Sequence, residues 1–133
     1  MSDLPLILVV DDENSVRMVV RRALAGMAHV LEADSAGAAT EVIKKRVGIQ
    51  LIITDIQMPG GSGVELHVAA TAAKYKGPWL VMTGMADECQ LAYFYAQRPQ
   101  PRILAKPIEI AVLRRAVQEA LESSRSSAGP SEF

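Results

Sequence analysis

Acidic, hydroxyl and basic side chains follow four of the short apolar runs in this sequence. In chain order they are Asp11 with Asp12 and Glu13, then Asp55, then Thr83 and finally Lys106. If these positions meet in space, the aspartates repel one another, which either raises some of their pKa values or attracts a cation. Lys106 leaves about two negative charges unbalanced, which suits a divalent ion with oxygen ligands, such as Mg²⁺. Such a site would accept a phosphoryl group, with a carboxylate attacking in line.

Each of these residues also has an ordinary structural explanation when it is taken alone. The acidic run 11–13 favours the positive end of a following helix, and Asp55 fits a loop. Thr83 is uninformative by itself, and Lys106 before Pro107 fits a solvated turn. The argument for a joint site is that all four positions fall at the ends of predicted strands, in an order that chance seldom produces.

Apolar runs alternate with helical patterns along the chain. The runs predict buried strands at residues 6–10, 29–32, 49–54, 79–82 and 102–105. The first helical pattern lies between Val16 and Met27 and includes Val19 on its apolar side. The other helical patterns lie at about 36–47, 62–74, 87–97 and 108–122. Asp34 or Ser35 is expected to cap the second helix, and Ser62 begins the third with capping-box spacing. In the last helix, the residues expected to face inward are Ile110, Leu113, Val117 and Leu121.

This alternation predicts an α/β fold, a doubly wound parallel five-stranded sheet with helices on both faces. Ligands bind such sheets at the carboxyl ends of the strands, near the point where the strand order reverses. The predicted site lies at that edge.

Composition narrows the class of protein. The 133 residues include 14 Lys and Arg against 15 Asp and Glu, for a net charge of -1, which argues against a nucleic-acid-binding face. One cysteine, Cys89, excludes an internal disulfide framework. His29 and His67 fit no ligand spacing and are interpreted as structural. No apolar run approaches the roughly 20 residues of a membrane span, and no signal peptide begins the chain, so we expect a soluble cytoplasmic protein.

The length predicts a single domain. We place this domain at residues 1–124 and a flexible tail at residues 125–133, within a segment rich in Ser, Gly and Pro. The last three residues are consistent with a remnant of a cloning vector. The sequence leaves open whether the chain is a stand-alone domain or one part of a longer regulator.

Four segments together resemble the receiver domain of bacterial two-component response regulators. They are residues 7–13, residues 55–66, residues 81–84 and residues 104–107. The resemblance extends over about residues 5–122 and implies the flavodoxin-like strand order 2-1-3-4-5.

The resemblance also assigns roles to individual residues. It implies that Asp55 accepts a phosphoryl group from the phosphohistidine of a sensor histidine kinase or a histidine phosphotransfer protein, within a phosphorelay. Asp11 and Asp12 would hold Mg²⁺ together with Asp55 and the backbone carbonyl of Gln57. Thr83 and Lys106 would contact the phosphoryl oxygens, and Thr83 would also report their presence to the output surface. The Lys106–Pro107 peptide bond would be cis.

Two features depart from the family pattern. Ile103 stands at a switch position that is usually Tyr or Phe, which puts the usual route from Thr83 to the output surface in doubt. The segment 97–101 contains two prolines where the family usually has a Gly-Ala turn, so we expect a stiffer loop of different shape.

Three other functions compete with the signalling switch. An aspartyl phosphotransferase or phosphatase usually carries a second Asp two residues after its nucleophile, where this chain has Gln57. A flavin-binding domain of the same topology needs a donor-rich loop rather than the acids that follow the first strand. A degenerate receiver that binds proteins without phosphorylation is the alternative that Ile103 leaves open. On the leading interpretation the protein is no conventional enzyme, since it catalyses only its own phosphorylation and dephosphorylation.

Two surfaces are predicted to contact protein partners. Met18 and Arg22 lie opposite the apolar side of the first helix, so we expect Met18 to be exposed. The resemblance implies that this helix helps dock the phosphodonor, and we expect the pair to contribute to that surface. Tyr93, Phe94 and Tyr95 are consecutive and span about 200° of a helix, so at least one ring must face solvent. We expect that ring to contribute to contacts with a downstream protein.

Overall fold

The computed structural model describes residues 3–84 and 88–127, with side chains up to residue 124. The strands are β1 (Leu6–Val10), β2 (His29–Ala33), β3 (Ile49–Asp55), β4 (Gln57–Met58), β5 (Gly61–Ser62), β6 (Trp79–Thr83) and β7 (Arg102–Ala105). The helices are α1 (Asn14–Ala23), α2 (Ala36–Lys45), α3 (Gly63–Ala72), α4 (Glu88–Tyr95) and α5 (Ile110–Ser127). None of the helices in this part of the chain is long and apolar enough to cross a membrane.

Five strands form one parallel sheet in the order β2-β1-β3-β6-β7. Counting only these five strands, this is the predicted order 2-1-3-4-5. The short strands β4 and β5 pair with each other as an antiparallel ribbon, which the sequence analysis treats as loop. The turn between them contains Gly60 with φ +76°, a left-handed conformation that glycine adopts without steric cost.

Alternate side chains of the central strands fill the cores on the two faces of the sheet. Ile7 and Val9 of β1 point into one core, which is closed by α1 and α5. Leu8 and Val10 point into the other, which is closed by α2 and α3. All four side chains are fully buried. Because both faces are covered, these strands are almost continuously apolar, and polar side chains are left to the strand ends.

A third, smaller core lies under α4. Its fully or almost fully buried members are Ile56, Val81 and Phe94. Phe94 is the only buried residue among the described positions of α4, so the attachment of this short helix depends largely on one ring.

Two of the helix caps follow from side-chain chemistry. Ser35 accepts a hydrogen bond from the backbone of Ala38 at 3.0 Å, which decides between the two predicted caps of α2. Ser62 accepts one from the backbone of Glu65 at 3.2 Å, as the capping-box spacing predicts. Each cap satisfies an amide that the first turn of the helix leaves without a partner.

Helix ends differ from the predicted bounds. Helix α1 ends at Ala23, before the positive φ of Gly26, and α2 ends at Lys45 rather than at Val47. Helix α5 begins at Ile110 and continues to Ser127, so the first residues of the predicted tail are helical. Residues 128–133, and the predicted start of the fourth helix at residue 87, lie outside the described residues.

Three predicted side-chain orientations are wrong. Ile110 is 46% exposed instead of facing inward, because it lies in the first turn of α5, before that helix reaches the core at Leu113. Met18 is partly buried rather than exposed. Val19, expected on the apolar side of α1, is instead 37% exposed. At these two positions the structure is the reverse of the prediction: Met18 is the more buried residue of the two, and Val19 is the more exposed.

Candidate functional site

The candidate site lies where the strand order of the main sheet reverses. From β1 the chain crosses to β2 on one side, and β3 lies on the other side. Strand β1 leads into Asp11 and Asp12, and β3 ends at Asp55. The carboxyl ends of neighbouring parallel strands meet at one edge, so the fold brings these carboxylates together.

Lys106 bridges two buried carboxylates. Its Nζ donates to Asp11 Oδ2 at 2.9 Å and to Asp55 Oδ2 at 3.1 Å. Asp11 is fully buried and Asp55 is 8% exposed. Glu13 Oε1 lies further from the same ammonium, at 3.9 Å, on a more exposed side chain. One partly buried cation thus faces two buried anions, which leaves an excess of negative charge.

Burial and neighbouring charge raise the pKa of Asp55 above its usual value. Loss of solvation makes the largest contribution, and the charge of Asp11 adds to it. The ammonium of Lys106 and the backbone amide of Gln57 act in the opposite direction without cancelling the increase. For Lys106, burial by itself lowers the pKa, but the hydrogen bond to Asp11 and the charges of both aspartates outweigh it and raise the pKa.

The three aspartates form a donor set suited to a hard cation. Asp11, Asp12 and Asp55 each offer a carboxylate oxygen, and these oxygens lie within 4.8 Å of one another. Asp12 is exposed, which gives the cluster an open side. Carboxylate oxygens beside solvent are typical Mg²⁺ ligands, and a divalent charge would balance the excess of carboxylates over Lys106. The residues present therefore fit a divalent metal ion.

Thr83 is the last residue of β6, the strand that neighbours β3 in the sheet. Its Oγ1 is buried and has no hydrogen-bond partner among the described residues. Its backbone carbonyl accepts a hydrogen bond from the amide of Lys106 at 2.8 Å, which holds the ends of β6 and β7 together. A buried hydroxyl without a partner is costly, and a ligand oxygen bound at this edge would supply one.

Gly63 determines how closely α3 approaches the backbone of Asp55. A Cβ at this position would lie 2.7 Å from the carbonyl oxygen of Asp55 and 3.2 Å from Cα of Ile56. The amide of Gly63 donates to the carbonyl of Ile56 at 2.7 Å. Only glycine fits this contact without moving the backbone. This role of Gly63 was not predicted from the sequence, where the residue stands within the segment 55–66 that resembles the family.

Arg17 is a second residue that the sequence analysis misses. Its Nη1 donates to the backbone carbonyl of Asp11 at 2.7 Å, and its Nε donates to Glu32 at 3.0 Å. Arg21 contacts the same glutamate at 2.5 Å. Burial by itself raises the pKa of Glu32, but the hydrogen bonds and charges of the two arginines outweigh it, so the pKa is lowered. Arg17 therefore ties the segment that carries Asp11 to the strand beside it, and nothing in its spacing distinguishes it from a surface arginine.

Ile103 contacts the small core under α4. It is partly buried and packs against the cluster of Ile56, Val81 and Phe94. The position that is usually aromatic in the family therefore contributes an aliphatic side chain here, next to an aromatic ring supplied by α4.

The three consecutive rings of α4 have three different environments. Phe94 is fully buried, Tyr93 is partly buried and Tyr95 is 50% exposed, so at least one ring faces solvent, as predicted. The hydroxyl of Tyr93 lies 2.6 Å from Nδ1 of His67 on α3. Burial lowers the pKa of His67. That histidine has the structural role predicted for it, joining α3 to α4.

Of the remaining predicted positions, Gln57 adjoins the carboxylate cluster through its backbone amide, which bonds to Asp55, whereas Met18 and Arg22 are not part of the cluster. Arg22 is exposed on α1, while the partial burial of Met18 weakens its expected role as an exposed apolar contact. Gln57 lies in β4, directly after the Asp55 segment. The Lys106–Pro107 peptide bond is cis, and so is the bond between Arg98 and Pro99.

Comparisons with known proteins identify the family. The sequence model of the response regulator receiver domain matches residues 7–118. The chain is 34% identical over 70 residues to a chemotaxis protein CheY homolog of Campylobacter jejuni, covering 51% of this chain and 54% of that protein. It is 31% identical over 128 residues to the regulatory protein VanRB of Enterococcus faecalis, covering 96% of this chain and 56% of that protein. The chain spans about half the length of these curated relatives.

Solved structures support the same fold. A CheY-like receiver domain protein from Methanospirillum hungatei superposes with a TM-score of 0.84 at 22% identity, covering 94% of this chain and 99% of that one. The receiver domain of the hybrid histidine kinase CckA gives a TM-score of 0.73 at 31% identity, covering 87% and 98%. The chain belongs to the response regulator receiver domain family of two-component systems.

Proposed function

We propose that this domain is a signalling switch whose Asp55 accepts a phosphoryl group in an Mg²⁺-dependent reaction. The donor would be the phosphohistidine of a sensor histidine kinase or of a histidine phosphotransfer protein. The observation that carries the proposal is the pairing of Lys106 with the buried carboxylates of Asp11 and Asp55. The hydroxyl of Thr83, at the end of the neighbouring strand β6, has no partner among the described residues.

In the proposed reaction, a carboxylate oxygen of Asp55 forms a bond to phosphorus while the bond from phosphorus to the donor imidazole nitrogen breaks. The imidazole leaves with the bonding electron pair and takes up a proton. Asp11, Asp12, Asp55 and the backbone carbonyl of Gln57 would hold Mg²⁺, which supplies positive charge to the phosphoryl oxygens. Lys106 supplies a further positive charge.

Thr83 would donate its hydroxyl hydrogen to a phosphoryl oxygen and so gain the partner that it lacks among the described residues. The protein would thereby catalyse its own phosphorylation and later hydrolysis, and no other reaction. We propose a cytoplasmic location as well. The exposed free thiol of Cys89 is compatible with a reducing compartment.

Phosphorylation by a small-molecule donor tests the acceptor directly. Incubation with acetyl phosphate and Mg²⁺ should add one phosphoryl group, measured by intact-mass spectrometry. Asp55→Asn should abolish the addition. Asp34→Asn is a matched control, because Asp34 follows β2 at the same edge of the sheet and is exposed outside the cluster. Full labelling of the Asp55 variant would refute the assignment.

Metal binding is tested separately, without any phosphoryl donor. Mg²⁺ should raise the melting temperature, because it binds the folded state and relieves carboxylate repulsion. Asp12→Asn should weaken this effect more than Asp11→Asn, because Asp11 already has Lys106 and the Glu13 amide as partners. If Mg²⁺ has no effect and Asp55 is not phosphorylated, the domain acts as a protein-binding scaffold instead.

A further inference from the structure

A basic cleft lies at the end of the sheet opposite the aspartates. Its volume is about 370 Å³, and it opens between the α2–β3 loop and the segment from α3 to β6. Ile49, the first residue of β3, lines the cleft, and Asp55 ends the same strand. Six residue steps at about 3.3 Å each separate the two by about 20 Å. The volume lies in the range of small-molecule sites, roughly 300–1,000 Å³.

Four cations line this cleft. Lys44 and Arg46 lie on one wall, and Lys74 and Lys76 lie on the other. All four are exposed, and no acidic residue lines the cleft in the part of the chain that the structure describes. Outside the lining, Glu41 lies 3.9 Å from Lys44 in an exposed pair, which contributes little in water. The chain as a whole carries a net charge of -1, so the concentration of positive charge here is local and attracts anions.

Helix-end chemistry does not account for all of these cations. Lys44 lies in the last turn of α2, where a positive charge complements the helix dipole. Lys74 follows the end of α3 with φ +76°, whereas the other described residues with positive φ, Gly26, Gly48 and Gly60, are glycines. A lysine in this left-handed conformation costs about 1 kcal/mol relative to glycine. The position therefore keeps a cation where backbone geometry favours glycine.

The cleft also has apolar lining. Val47 is 92% exposed on its rim, and Ile43 and Ala73 line it further in. Tyr75 completes this lining, and its hydroxyl donates a hydrogen bond to the carbonyl of Pro78 at 2.7 Å. A ligand that combines a charged group with an apolar portion would use both kinds of surface.

We propose that the cleft binds a compact polyphosphate, either free or as the phosphate tail of a nucleotide. Four cations match the roughly four negative charges of a triphosphate near neutral pH. Arg46 can donate two parallel hydrogen bonds to one phosphate group, and the lysines supply point charges. The apolar lining would contact a nucleoside. This site is independent of the proposed chemistry at Asp55.

Isothermal titration calorimetry at low ionic strength, without Mg²⁺, tests the proposal with tripolyphosphate and ATP as probes. Both should bind saturably at one site, and affinity should fall as salt is added. Tighter binding of ATP would identify a nucleotide as the ligand, and equal affinities would identify the polyphosphate itself. Lys74→Gln and Lys76→Gln should each weaken binding about tenfold, the loss expected for one charged hydrogen bond.

Two variants serve as controls. Lys45→Gln removes the same charge from α2, next to Lys44, but Lys45 does not line the cleft, so affinity should change less than about twofold. Asp55→Asn should bind both probes as the wild type does. The sole tryptophan, Trp79, reports on the site, since its ring lies 5.6 Å from the ring of Tyr75, edge to face. Its fluorescence should change on binding and should confirm that the variants are folded.

The proposal is overturned if neither probe binds saturably at millimolar concentration. It is equally overturned if Lys45→Gln weakens binding as much as Lys74→Gln, because the effect would then be that of net charge rather than of a site. Lys76→Gln keeps the test valid if the strained position of Lys74 makes its variant unstable.

Discussion

Replacing Lys106 by methionine tests the charge balance of the aspartate site. The ammonium lies 2.9 Å from Asp11 Oδ2 and 3.1 Å from Asp55 Oδ2. At an effective dielectric constant of about 20, these pairs contribute about 6 and about 5 kcal/mol of attraction. Removing the ammonium from water costs several kcal/mol, so the net loss should be about 3–5 kcal/mol, as for other broken buried ion pairs.

The loss should depend on pH in a defined direction. Without the ammonium, burial and the charge of Asp11 raise the pKa of Asp55 further. The folded variant then binds a proton at a higher pH than the folded wild type does. The difference in unfolding free energy should therefore shrink as the pH falls from about 8 to about 4, the ordinary range of an aspartate pKa. Added Mg²⁺ should also shrink it, because the cation replaces the missing positive charge.

Urea unfolding followed by Trp79 fluorescence measures these differences. Arg102→Met is the control, because it removes a cation from an exposed pair with Glu119 on the surface. That variant should lose less than about 1 kcal/mol and should not respond to Mg²⁺. A loss in Lys106→Met that is equally small, or that is the same at both pH values and with Mg²⁺, would refute the electrostatic argument.

Three further predictions concern the packing of α4, the pH dependence of stability and the cap of α3. Phe94→Ala should lower the free energy of unfolding in urea by about 3–5 kcal/mol, because the ring is fully buried. Tyr95→Ala should lower it by less than about 0.5 kcal/mol, because that ring is half exposed. Similar values for both variants would contradict the assigned orientation of α4. Burial lowers the pKa of His67, so the unfolded chain binds more protons than the folded protein as the pH falls through about 6.5, and stability decreases. His67→Phe should remove this part of the pH dependence of unfolding. An unchanged pH profile would show that other groups cause it. Ser62→Ala should lower the free energy of unfolding by about 1 kcal/mol, because it removes the cap of α3. An unchanged melting temperature would contradict this role of Ser62.

Much of the fold could be predicted from the sequence because its signals are local. Strands buried on both faces must be apolar, so β1 is predicted with the bounds that the structure has. The predicted bounds of β7 also match, although the first and last residues of this edge strand are exposed. Helix ends are less certain, because the apolar pattern continues past the point where the backbone turns. At α2 the pattern extends to Val47, but the helix stops at Lys45 and leaves Val47 almost fully exposed.

The candidate site was predictable for the same reason. Carboxylates directly after parallel strands must meet at one edge, so Asp11 and Asp55 could be paired without coordinates. The bridging position of Lys106 depends on the strand order, which puts β7 two strands away from β3. A resemblance to a family supplied that order, and the spacing of the residues alone did not.

The sequence by itself determined the strands, their polar ends and the residue types of the aspartate site, since these follow from hydrophobic periodicity and from charge. Only the tertiary structure decided which side chains share an environment. It assigned Arg17 to the carbonyl of Asp11, buried Phe94 but not Tyr95, and brought Lys44 and Lys74 into one cleft. These contacts join residues from elements that are separate in the chain or on different sides of a helix. Their geometry depends on how whole helices pack against the sheet, which no local pattern encodes.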